Sequence, residues 1–277
     1  MKNTDSSPAA TLDLHRLRAT LRTSRIGRQV VRLPETTSTN DEAWAVAAAL
    51  GPAAADGLVV LTDRQTTGRG RLGRTWHSPR GASVLLSVLL HDPAHRLSGG
   101  RLALLSAVAA CDAVTATTDV HPRIKWPNDL VVGQRKLAGI LIECRRDGDA
   151  SITFVLGIGI NCLQQRGHFE GELTGRATSL ELESRQPIDR TAVAAALLNA
   201  LERQLLALEA GATEELRRAW LARAEPLSQP IRLQQDGKLY EGCTLDVDPE
   251  AGLLVQLTEG GIRLFDAADT TVLPPAP

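Results

Sequence analysis

Residues 123–161 read RIKWPNDLVVGQRKLAGILIECRRDGDASITFVLGIGIN, and this stretch limits the fold more than any other. Its short apolar runs, rich in Val, Ile and Leu, are separated by Gly133-Gln134 and Asp147-Gly148, dipeptides that close tight turns. Strands joined this closely form consecutive antiparallel hairpins. Helical patterns stand apart from them, in SGGRLALLSAVAACDAVTATT (98–118) and in residues 190–222, where TAVAAALLNALERQLLALEAG closes on a glycine of C-cap type. Hairpins with segregated helices predict an α+β fold with a mixed or antiparallel central sheet, not a doubly wound one.

Upstream, QVVRLPETTSTNDEAWAVAAAL (29–50) predicts a strand, a polar turn and a helix. Ser38 or Thr39 is placed to cap that helix, with Asp41 and Glu42 in its first turn, where the helix dipole favours acids. GLVVLTDRQ (57–65) and GASVLLSVLL (81–90) read as strands, and the leucines of residues 12–23 suit a short amphipathic helix. From Pro226 the pattern becomes short strands with turns at Asp236-Gly237 and Gly260-Gly261, which suits a small β-barrel. The expected division is 1–25, an N-terminal segment partly disordered or briefly helical; 26–225, a main domain; and 226–277, the barrel.

Between Gly68 and Gly73, the stretch TTGRGRLGRTW (66–76) satisfies G-x-G-x-x-G, the pattern of dinucleotide-binding loops. That use requires a helix to open at the third glycine, so that its N-terminus meets the pyrophosphate. Here RTWHSPRGAS follows, and Pro79 and Gly81 predict a strand instead; Asp92, at the usual distance for a ribose-binding acid, is then a decoy. No G-x-x-x-x-G-K-[ST] string occurs. The loop instead carries Arg69, Arg71 and Arg74. Glycines let backbone approach a ligand closely, and guanidinium groups bind carboxylate and phosphate oxygens bidentately. Such a loop could bring together a carboxylic acid and the α-phosphate of ATP, two anions that otherwise repel. A solvated basic turn is the competing reading.

Composition removes other classes. The formal net charge of −1 leaves no overall basic field for nucleic acid, and the chain is 3% aromatic, poor in stacking platforms. Cys111, Cys144, Cys162 and Cys243 lie far apart with no C-x-x-C pair, which argues against zinc and for reduced, buried thiols in a cytosol. Residues 1–11 lack an apolar signal core and are expected to be disordered, and no run of apolar residues reaches membrane-spanning length. A cytoplasmic protein with no membrane association is expected.

GRGRLGRTW (68–76), KWPND (125–129), KLAGIL (136–141) and GIGIN (157–161) together, in this order, resemble the biotin–protein ligase family over about residues 30–275. The resemblance implies a class II synthetase-like catalytic fold with a small C-terminal SH3-like β-barrel. It also implies activation of biotin by ATP to biotinyl-5′-AMP and transfer to one lysine of a biotin carrier protein, by default the carrier subunit of acetyl-CoA carboxylase. Ser38, Thr39 and Asn40 match the family's string beneath the biotin rings, and Gln65 matches a biotin contact upstream of the loop. Arg69, Gly70 and Arg71 match the segment that closes over biotin and the adenylate. Arg71 is then the cation nearest the reacting carboxylate and α-phosphate, with Arg69 ordering the loop. Lys136 matches the lysine that reaches the biotin carboxylate and the bridging oxygen; without the family it reads as a solvated hairpin cation. Trp76 suits a place under the nucleotide or in the core.

Lys125, Asn128 and Asp129 match the segment near the ATP phosphates, with Asp129 a ligand for Mg²⁺, although an Asn-Asp pair also simply forms turns. Asn161 resembles a nucleotide contact, or caps a strand end. No side-chain nucleophile is required, so His77 and His121 have no assigned role. Larger members carry an N-terminal helix-turn-helix domain; about 30 residues precede the pattern here, so no binding to DNA is expected. ATSL (177–180) lacks the tryptophan some members place beside adenine, which leaves the adenine contacts open. The family includes monomers and dimers, and a homodimer stays open. A lipoate–protein ligase, sharing fold and chemistry, is the nearest alternative, and a nucleic-acid-binding module the alternative of another class.

Overall fold

The structure is a computed structural model that describes residues 11–147 and 151–273. Seven strands form the central sheet: β1 (Val30–Leu33), β2 (Val59–Thr62), β3 (Ser83–Asp92), β4 (Arg123–Lys125), β5 (Asp129–Val132), β6 (Arg135–Asp147) and β7 (Ser151–Asn161). Their order is β1-β2-β3-β7-β6-β5-β4. Only β1 and β2 run parallel, joined by a crossover through helix α2 (Thr39–Leu50); every other neighbouring pair is antiparallel. Gly133, at φ +59°, makes the first central position of the two-residue turn between β5 and β6. The Asp147-Gly148 turn lies partly outside the described residues, as does most of the N-terminal tail.

Side-chain alternation gives the sheet two unlike faces. On one, Val84, Leu86, Val88 and Leu90 of β3 join Leu156, Ile158 and Ile160 of β7 in the main core. Helices α3 (Gly99–Thr117) and α5 (Arg190–Glu209) cover this face and pack on each other, with α1 (Leu14–Thr20), the short α4 (Leu180–Glu183) and α6 (Thr213–Arg223) completing the helical complement. On the other face only α2 is seated, through Ala43, Trp44 and Ala47 on Val60, Leu89 and Val155. Beyond α2 that face carries Ser87, Gly139, Gly157 and Gly159, and it stays open.

α3 and α5 correct one expectation: by length and composition each could cross a membrane. Their apolar surface is spent on the sheet and on each other, with Leu102, Leu105, Leu197 and Leu201 fully buried. α5 and α6 divide the 190–222 stretch at Gly211, whose φ of +94° favours glycine.

The C-terminal part is a five-stranded antiparallel sheet in the order β11-β10-β9-β8-β12, built from β8 (Pro230–Gln235), β9 (Lys238–Asp248), β10 (Gly252–Leu257), β11 (Ile262–Phe265) and β12 (Thr270–Leu273). Leu233, Val247, Leu253, Val255 and Phe265 form its buried side. The expected SH3-like barrel is not found closed: β11 and β12 are the two edges, with no ladder between them among the described residues. The free edge of β12 turns instead toward the main domain, where the Thr270 carbonyl accepts from Arg71. At the opposite end the two parts touch so closely that a Cβ on Gly100 would fall 2.4 Å from the Pro249 carbonyl oxygen.

Candidate active site

A cleft of about 1050 Å³ occupies the open face between α2, the Arg-Gly loop, the β4–β6 hairpins and β12. Every residue singled out from the sequence lines it: Ser38, Thr39, Asn40, Gln65, Arg69, Gly70, Arg71, Trp76, Lys125, Asn128, Asp129, Lys136 and Asn161.

At its polar end, Ser38 begins α2 without a side-chain cap. Gln65 supplies the missing acceptor, taking the Thr39 N–H at 2.9 Å on Oε1. Ser87, on β3, donates to Asn40 Oδ1 at 2.6 Å and sits 2.7 Å from Thr39 Oγ1. Asn40 is 3% exposed, yet its Nδ2 has no partner. A buried amide donor without an acceptor is costly, which marks the place where a ligand acceptor fits. Ser87 is fully buried and outside the cleft lining, and it supports two residues that line the cleft. Its signal was in the sequence: Ser83 and Ser87, four apart in the apolar first part of β3, must share one face.

In the middle of the cleft the sheet surface is bare backbone under an indole ring. Gly139 and Gly159 face each other across β6 and β7, and the Trp76 indole lies over both. Trp76 is half-buried; a Cβ on Gly159 would fall 2.7 Å from its Cε2, and one on Gly139 2.9 Å from its Cζ3. Gly157 similarly makes room for the Asn40 amide.

The cationic end holds Arg71, Lys136 and Lys125. The loop folds on itself through Gly70 N to Arg74 O (2.7 Å) and Trp76 N to Gly68 O (2.9 Å), with a single 3-10 turn over Arg71–Gly73. Leu72 and Gly73 both have positive φ, which turns Arg71 inward beneath the loop. Arg71 reaches Asn128 Oδ1 (3.4 Å) and Thr270 O (3.2 Å), and burial pushes its pKa down. Lys136 pairs with Asp129 at 2.6 Å and lies 5.6 Å from the Trp76 ring centre. Arg69 stands apart: it pairs with Asp41 (2.7 Å) and Glu143 (3.0 Å), and the Asp41 hydrogen bond above all holds its pKa up.

Asn128 and Asn161 are largely occupied by the fold. Asn128 Nδ2 donates to Ile140 O at 2.6 Å, pinning the KWPND turn to β6. Asn161 Nδ2 donates to Thr178 O (2.9 Å) and its Oδ1 accepts from Gln164 (2.8 Å), so its amide closes a buried network at the strand end. The ATSL segment runs beside Lys136, with the Thr178 N–H on the Lys136 carbonyl at 2.9 Å. No group of three or more His, Cys, Asp and Glu side chains gathers anywhere among the described residues. Asp129 offers the cleft a carboxylate beside Arg71 and Lys136, an oxygen donor of the kind Mg²⁺ takes.

The family model of the biotin/lipoate A/B protein ligases matches residues 34–161. A biotin–[acetyl-CoA-carboxylase] ligase of Paracoccus denitrificans is 31% identical over 241 residues, covering 86% of this chain and 98% of the relative. The chain belongs to the biotin/lipoate A/B protein ligase family. Another ligase of that name, from Mycobacterium tuberculosis, is 32% identical over 88% of this chain and 89% of its own. The bifunctional ligase/repressor BirA of Bacillus subtilis is 30% identical over 91% of this chain and 76% of its own. Among solved structures, the Aquifex aeolicus biotin protein ligase in complex with biotin and ATP superposes with a TM-score of 0.75 at 24% identity, over 89% of this chain and 99% of that one, which supports the shared ligase-family fold.

Proposed function

We propose that this chain is an ATP-dependent biotin–protein ligase, acting on biotin, ATP and a lysine of a biotin carrier protein. The observation that carries the reading is the buried, unpartnered Asn40 Nδ2 at one end of a cleft whose other end is cationic. Biotin has the matching order of parts: a polar ureido head, a thin apolar body and a carboxylate tail.

In the first step a biotin carboxylate oxygen attacks the α-phosphorus of ATP and the bond to pyrophosphate breaks. Arg71 and Lys136 lower the repulsion between these anions. Arg71 is suited to the phosphate because its hydrogen-bond partners, Asn128 and Thr270, are neutral oxygens that an anion displaces, with the Asp129 carboxylate close enough to act on it by charge. Lys136 must first leave Asp129. Mg²⁺ bound by Asp129 would release that lysine and neutralise phosphate charge. In the second step the amine of the carrier lysine attacks the acyl carbon, the anhydride C–O bond breaks, and AMP leaves. Trp76, the loop and β12 keep water from the anhydride meanwhile.

We also read residues 26–225 as the catalytic domain and 226–277 as a domain related to SH3-like barrels, left open so that β12 can complete the cleft. A cytoplasmic site of action agrees with the ATP requirement, and a homodimer stays compatible with it. Intact-mass spectrometry of a biotin carrier domain, incubated with the protein, ATP, Mg²⁺ and either biotin or lipoate, tests the reading. One biotinyl increment dependent on ATP is expected. An increment only with lipoate would move the assignment to lipoate ligation, and none with either would overturn it.

A further inference from the structure

We infer that Asp41 and Glu143 are positioning residues that hold the Arg-Gly loop closed over the acyl-adenylate through Arg69. The inference rests on the ligase reading for its chemistry, but its geometry stands alone. Arg69 is the one loop arginine whose guanidinium faces two carboxylates, Asp41 at 2.7 Å and Glu143 at 3.0 Å. The two acids come from different elements, the first turn of α2 and strand β6, so one side chain ties the loop to both walls of the cleft.

Glu143 is itself fixed. Its Oε2 accepts from Trp44 Nε1 at 2.8 Å, which leaves Oε1 for Arg69. Trp44 is 6% exposed in the cluster under α2, and the Arg145 guanidinium lies 4.2 Å from its ring centre on the outer side. Glu143 also shares its sheet face with Gly139, two positions beyond Leu141, so the anchor stands in the same row of β6 as the glycine under Trp76. Asp41 follows Thr39 and Asn40 directly, and movement of the latch is therefore felt at the polar end of the cleft. The three side chains keep partial access to water, with 40%, 44% and 26% exposure for Arg69, Asp41 and Glu143. Such pairs are weak enough to open for substrate entry and are screened by salt.

The test uses Asp41→Asn, Glu143→Gln and the double variant of the full chain. In ligand-free protein, hydrogen–deuterium exchange is followed at the Gly70 and Trp76 amides, both bonded within the loop. About fivefold faster exchange is expected in the double variant, the size set by two partly exposed ion pairs. Dissociation of biotinyl-5′-AMP should quicken by about the same factor, while formation at saturating biotin and ATP changes little. Adding Arg69→Ala should produce no further acceleration, because all three changes break one latch. Exchange at the wild-type rate in a variant of unchanged melting temperature would overturn the proposal, as would additive effects with Arg69→Ala. If the wild-type protein forms no acyl-adenylate, the ligase reading fails, and the exchange experiment still decides whether these carboxylates hold the loop.

Discussion

Gly159 lies directly beneath the indole of Trp76, so close that a Cβ there would fall 2.7 Å from Cε2. The contact explains why β6 and β7 carry glycines at facing positions in strands that otherwise favour bulky residues. The backbone itself is the seat of the ring, which packs directly on it and forms this part of the cleft wall.

Gly159→Ala should therefore push Trp76 off the sheet and into the cleft. Biotin affinity is expected to fall about tenfold, which is about 1.4 kcal/mol. Isothermal titration reads the affinity and tryptophan fluorescence the displacement. An alanine variant that binds as wild type with an unchanged emission spectrum would remove Trp76 from the site.

Arg71→Ala tests the electrostatic role at the other end. Removing a charge aimed at the transferring phosphoryl group typically costs on the order of 10²–10³ in rate. Biotin-dependent pyrophosphate release should drop by that amount, and any intermediate formed should escape into solution. Arg71→Lys should recover only part of the rate, since a point charge does not replace the planar fork. Full activity in the alanine variant would assign the chemistry to Lys136 and Lys125 alone.

Glu202 anchors the chain segment that leads into β1. It accepts the N–H groups of Ser24, Arg25 (3.1 Å) and Ile26 (2.7 Å) and the Ser24 hydroxyl (2.8 Å), fastening the chain before β1 onto α5. Burial pushes its carboxyl up, and these donors outweigh burial and leave it lowered. A lowered folded pKa means stabilisation that is complete above the unfolded value of about 4.3 and lost as pH falls through the folded one. Glu202→Gln should cost about 2 kcal/mol at pH 7, and the gap to wild type should close as acid protonates the glutamate. Urea unfolding of both proteins across a pH series measures this.

The four cysteines differ sharply. Burial pushes the thiols of Cys111 and Cys162 up to about 12, whereas Cys144 is exposed on β6 and Cys243 is half-buried. The expectation of four buried thiols holds for two of them. Alkylation of native protein at pH 8 should modify Cys144 first and leave Cys111 and Cys162 intact until denaturant is added. Peptide mapping by mass spectrometry identifies the sites.

Much of this arrangement was legible in the sequence because it is local. The hairpin turn at Gly133-Gln134, the acids in the first turn of α2 and the strand after the Arg-Gly loop follow from short-range rules of turn and helix chemistry. The cleft residues were legible only through motif resemblance, since their spacing alone left Lys136 a solvated cation and Asn128 a turn former. Ser87 and Glu143 were missed because each sits inside a β run whose polar members declare themselves only when the sheet face is known. The C-terminal part is a separate antiparallel sheet where an SH3-like β-barrel is expected, and no closure is found among the described residues, because strand count and turn spacing do not specify whether the two edges meet.

The sequence by itself determined the elements, their order and the chemistry carried by each loop, because backbone preference and hydrophobic period act over a few residues. Only the tertiary structure decided which charges meet. Arg69 and Arg71 stand two positions apart in one loop, yet Arg69 is held by two carboxylates and Arg71 is hydrogen-bonded to two neutral oxygens. Asp41, Glu143, Asn128 and Thr270 reach them from α2, β6, the KWPND turn and β12. Partners so far apart in the chain are set by sheet order and packing.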